Sequence, residues 1–176
     1  MVAMQAMASS CLGETYFYGS EYQKSKDHCG KAIWLNEYGK LLPSYGNLAK
    51  IALARAKVVN NEKDIDLESL YGYKAENKVK LFDGKMQRYI GEILLNIDDQ
   101  HISDAEDWIK KAIEADQRNG VMFELAMDYA LYAELFKRKG DQSKAKENLN
   151  KAIEIYKECG ADGWVEKAEK ELATLS

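Results

Sequence analysis

The chain has 176 residues, enough for one domain with a substantial core. Hydrophobic residues make up 46% and charged residues 31%, a globular mixture that excludes a disordered chain. The formal net charge of -4, from 25 basic and 29 acidic side chains, argues against a generic phosphate-backbone binder.

Segment 1–13 is apolar, but no Lys or Arg precedes Lys24, so it lacks the basic start of a signal peptide. No stretch approaches the ~20 apolar residues that span a bilayer, so no membrane is expected. Cys11, Cys29 and Cys159 are odd in number and form no C-x-x-C; they read as reduced thiols of a cytoplasmic protein. The single proline, Pro43, suits a chain of long helices.

The tripeptide Lys-Ala-Ile starts at Lys31, Lys111 and Lys151, on a common 40-residue grid. Four helix pairs follow in chain order. The first covers about 3–40, with Leu12-Gly13, Tyr16, Gly19, Tyr22, Ser25, Cys29 and Ala32. In the second, about 44–82, the apolar residues Leu48, Ile51, Ala52, Ala56 and Val59 place a helix over 44–59. A polar turn at 60–64 and a second helix near 65–82 follow, in a register the pattern leaves open. The third, about 84–118, carries Ile90-Gly91, Leu94, Ala105, Ile109 and Ala112, with two extra residues in its turn at 98–103.

The fourth pair, about 121–158, is the clearest. Leu125, Ala126, Tyr129, Tyr132, Ala133 and Phe136 form one helical stripe, Gly140-Asp141 breaks it, and Ala145, Leu149, Ala152, Ile153 and Tyr156 form the next. A last helix over 163–175, with Trp164, Val165, Ala168, Leu172 and Leu175, suits a cap on the final pair.

The run Tyr129, Tyr132-Ala133, Phe136, Gly140-Asp141, Ala145, Leu149, Ala152 resembles a tetratricopeptide repeat, as do Leu12 to Ala32 and Ile90 to Ala112. The stretch from Lys137 to Leu175 resembles the C-terminal tails of bacterial AAA-type ATPase and adenylate or guanylate cyclase signalling proteins. The resemblance implies an all-α fold: a right-handed superhelical array of antiparallel helix pairs, four pairs plus a capping helix, within one domain. It also implies a non-catalytic scaffold that binds a protein or peptide partner on its concave face in bacterial signalling. Met1 leads straight into the first helix without a cap, which suits a fragment of a longer protein or a short gene derived from a longer one.

In that architecture the first helix of each pair lines the concave surface. The expected contact residues are Glu14, Phe17 and Tyr18 in the first pair and Arg88, Tyr89, Glu92 and Asn96 in the third. In the fourth they are Met127, Leu131, Glu134, Lys137 and Arg138. Chaperone-binding members clamp a peptide's terminal carboxylate at positions that here hold Ser10, Glu14, Ala130 and Glu134, so such a guest would be repelled.

No catalytic residue, cofactor site or metal site is expected. His28 and His101 have no partner set at ligand or triad spacing, and no phosphate-binding glycine loop occurs. Two other readings stay open. Val2, Met4, Met7 and Ala8 could form an apolar edge through which the chain makes a homo-oligomer. The basic run Lys137-Arg138-Lys139, with Lys144 and Lys146, could contact RNA, although cations at a helix C-terminus are ordinary.

Overall fold

The computed structural model describes residues 1–175, and among them the backbone forms nine α-helices, two single 3-10 turns and no strand. Internal contacts group the chain into two compact units. One comprises Met1–Phe82 with Asn96–Asp99; the other comprises Asp83–Leu95 and the chain from Gln100 onward.

In the first unit lie α1 (Val2–Tyr18), α2 (Tyr22–Tyr38), α3 (Pro43–Val59) and the short α4 (Leu67–Ala75), then a 3-10 turn at Lys80–Phe82. Small residues let α1 and α2 approach. A Cβ on Gly13 would lie 2.9 Å from the Cys29 sulfur, and the Ser25 hydroxyl donates to the Gly13 carbonyl at 2.7 Å. Next, α2 packs on α3, and α3 on α4. Pro43 opens α3, where its missing N–H costs nothing, and Leu42 before it is extended as the proline ring requires.

The expected second helix of this pair, near 65–82, is only Leu67–Ala75. Asp66 caps its start by accepting from the Ser69 N–H at 3.1 Å. Beyond it, the Asn77 side chain bonds both the carbonyl and the N–H of Val79, at 2.9 and 3.1 Å, offering the backbone a local alternative to the helix. Ser44 of α3 accepts the Lys78 N–H at 2.9 Å, satisfying a donor outside the helical ladder.

The second unit holds most of α5 (Asp83–Ile97), then α6 (Ile102–Asn119), α7 (Met122–Arg138), α8 (Gln142–Glu158) and α9 (Asp162–Ala173). A Cβ on Gly91 of α5 would stand 2.8 Å from Ile109 and 3.3 Å from the Ala105 carbonyl of α6, so this pair meets over a glycine as the first does. α6 packs on α7, α7 on α8, and α8 on α9. The grid positions Ala32, Ala112 and Ala152 are fully buried, and Ser25, Ala105 and Ala145 are buried beside them.

A finer period emerges in the turns. Ser20, Lys40, Asn61, Gly120, Gly140 and Gly160 all have positive φ, 48° to 76°, at close to 20-residue spacing within each run. After each, the next N–H returns to the carbonyl five residues back: Glu21 to Tyr16, Leu41 to Asn36, Glu62 to Lys57, Val121 to Asp116, Asp141 to Phe136 and Ala161 to Tyr156. This closure satisfies the last free carbonyls of each helix and reverses the chain.

Candidate partner-binding surface

α5 and α7 meet through charge. Arg88 is 1% exposed; it donates to the Asp128 carboxylate and the Glu124 backbone carbonyl, both at 3.1 Å, and to the Glu124 carboxylate at 2.6 Å. Lys85 reaches the other Glu124 oxygen at 2.6 Å. Burial opposes charge on Glu124, yet Arg88 and Lys85 together hold its carboxyl below the usual range. Asp116, in the last turn of α6, is fully buried against Gly84 at the start of α5.

Four expected contact residues are therefore corrected. Arg88 is an interior ion-pair residue. Tyr89 is 2% exposed, with the Arg88 guanidinium 5.4 Å from its ring. Met127 is buried, its sulfur accepting from the Tyr156 hydroxyl at 2.9 Å. Phe17 is buried under the Arg55 guanidinium of α3, 3.6 Å from its ring. For Arg88 and Phe17 the covering side chain comes from the next pair, whereas Met127 is covered by α8 of its own pair.

The remaining candidates stay accessible. Glu14 and Tyr18 are half-buried on α1, and Glu92 and Asn96 half-buried on α5. On α7, Leu131 and Glu134 are half-buried and Arg138 is exposed. The last two hold each other at 3.2 Å, and Arg138 also donates to the Leu95 carbonyl near the end of α5.

One residue passed over in the sequence joins this face of α7. Phe123 is exposed and lies at helical spacing with Met127, Ala130, Leu131 and Glu134. Its ring meets Trp164 of α9 edge-on at 5.9 Å and Tyr156 of α8 at 5.8 Å. The result is an apolar strip, Phe123–Ala130–Leu131 with half-buried Trp164 beside it, bordered by Glu134 and Arg138. The signal for Phe123 was present: it shares a stripe with Met127 and Leu131, which the sequence reading did select.

The basic run is largely neutralised. Lys137 bonds Glu134 at 3.0 Å and Glu171 at 2.9 Å, Arg138 bonds Glu134, and Lys139 bonds Glu106 at 2.6 Å. Lys110 and Lys139, with the Tyr132 hydroxyl, pull the Glu106 carboxyl down to about 2 against its partial burial.

His28 stacks on Tyr16 at 5.2 Å. Among the described residues no group of three His, Cys, Asp or Glu side chains is disposed to hold a metal, and no helix is long and apolar enough to cross a membrane. On α1, Met4 is 76% exposed, Met7 53% and Leu12 43%, and no charged side chain occurs before Glu14.

No protein family's sequence profile matches the chain, and no curated protein matches it in sequence. In three dimensions it is similar to the crystal structure of BtubC (BKLC) from P. vanneervenii. The TM-score is 0.62 at 15% identity, covering 99% of this chain and 80% of that one. That likeness concerns the fold alone.

Proposed function

We propose that the chain is a non-catalytic helical-repeat module of the tetratricopeptide kind that holds a protein or peptide partner on the open side of its first-of-pair helices. The repeated helix closure and the buried small residues at Ser25, Ala105 and Ala145 support the repeat. A role in bacterial signalling rests on the resemblance of the C-terminal stretch alone.

One observation carries the binding reading: the α7 strip of Phe123, Ala130 and Leu131, apolar at its centre and bordered by Glu134 and Arg138. Such a strip suits an apolar anchor from a peptide, with the border setting register. The border residues already satisfy one another, so a partner gains chiefly from apolar burial. RNA is disfavoured because Lys137, Arg138 and Lys139 are occupied by carboxylates.

The test is affinity capture from a bacterial lysate with wild type and a Leu131→Glu/Glu134→Lys variant, helicity being checked in both. The proposal expects a partner held by the wild type and lost by the variant. An identical set captured by both would overturn it.

A second reading is favoured by the contrast between helices. The exposed side of α1 carries Met4, Met7 and Leu12, whereas that of α9 carries Asp162, Glu166, Glu169 and Lys170. An uncharged outer face of this kind suits self-association. Light scattering should then show a dimer that Met4→Glu/Met7→Glu converts to monomer; a wild-type monomer at all concentrations removes this reading.

A further inference from the structure

The group left unexplained by a binding role is the buried cluster between α5, α6 and α7. Asp116 and Asp128 are both fully buried. Neither Asp116 oxygen has a donor, and Asp128 has one carboxylate oxygen on Arg88 and the other without one. The two carboxyl groups sit against successive turns of α5, Asp116 on Gly84 and Asp128 on Arg88 four residues later, and three of their four oxygens are buried without a donor. Two carboxylates cannot hydrogen-bond; a carboxylic acid and a carboxylate can.

The charges agree. The groups facing Asp116 are Lys85 and Arg88 from α5 and Glu124 and Asp128 from α7. Two cations thus meet three carboxyl groups, and a single proton neutralises the set. Asp116 sits against the first turn of α5, where the helix dipole favours an anion, and Asp128 bonds Arg88, so the proton belongs to the pair. We propose that the folded protein retains one proton between Asp116 and Asp128, and that its loss loosens the junction of α5, α6 and α7, making this cluster a pH-responsive latch.

Burial is the main cause that pushes both groups up, Asp116 to about 6 and Asp128 well above the usual carboxylate range. The pair titrates as a unit, so these directions belong to the pair. The folded chain then binds a proton that the unfolded chain has released, and stability falls as pH rises from the ordinary aspartate range through about 6 and above.

The experiment compares the whole chain with its Asp128→Asn variant, whose amide is neutral at every pH and carries no titrating proton. Thermal midpoints and hydrogen exchange are read between about pH 5 and about pH 8. The wild type should lose midpoint with rising pH relative to the variant. Its amides at 115–117 should also exchange faster than the intrinsic pH dependence explains, while those of the variant should not. Parallel midpoint curves and equal exchange would overturn the latch. Should the variant fail to fold, carboxyl carbon NMR on the wild type decides. One aspartate of the pair still protonated near pH 6 supports the proposal; titration of both in the ordinary carboxylate range overturns it.

Discussion

The Asp116 carboxyl group occupies the space where a side chain on Gly84 would begin: an ideal Cβ there would stand 2.1 Å from its carboxyl carbon. The glycine is required by a neighbour's bulk, for its φ is not in the left-handed region. Gly84→Ala must displace either Asp116 or the start of α5, a core overpacking that costs about 1–3 kcal/mol. Urea unfolding should show that loss, and a smaller one when Asp116→Ala is combined with it than the two single losses added.

Lys40 closes α2 in the left-handed region at φ 48°, where Gly140 and Gly160 serve the later helices. A side chain there costs on the order of 1 kcal/mol, part of which glycine returns as chain entropy. Lys40→Gly should therefore stabilise the chain by about 0.5 kcal/mol, and Gly140→Ala should destabilise it by about 1 kcal/mol. Denaturant midpoints of the two variants check the opposite signs.

Cysteine chemistry should divide two to one. Cys29 is buried against Gly13, and burial pushes its thiol up to about 11, whereas Cys11 and Cys159 are exposed. A maleimide at neutral pH should modify Cys11 and Cys159 in the folded chain and reach Cys29 only on unfolding. Intact-mass spectrometry counts the adducts.

Glu106 ties α6 to the end of α7 through Lys139 and the Tyr132 hydroxyl, at 2.6 and 3.1 Å. Its folded carboxyl lies near 2, below the unfolded value, mainly through hydrogen bonds from Lys110 and Lys139. Its contribution is thus complete above the ordinary glutamate range and lost as pH falls toward about 2. The lysines are partly solvated, so Glu106→Gln should cost on the order of 1 kcal/mol at neutral pH. The variant and wild type should converge in acid, as followed by thermal melting across pH.

The helices themselves were legible because burial follows local period. Ala105, Ile109 and Ala112 recur at helical spacing, and all three are buried. The contact residues were harder, because exposure depends on the next helix. Arg88 looks like a surface cation until Glu124 and Asp128 are brought against it from 36 and 40 residues away. A clue did exist: Asp116 continues the stripe of Ala105, Ile109 and Ala112, and an acid on an apolar stripe needs a partner. The early end of α4 was not legible, since it depends on Ser44 of α3 accepting the Lys78 N–H.

Hydrogen exchange of the chain, alone and with its captured partner, tests the central claim most directly. Partner binding on the open side of α7 predicts added protection within Met122–Arg138 and at 92–95 of α5, with α1 unchanged. Protection confined to Val2–Tyr18, or no change along α7, would contradict it.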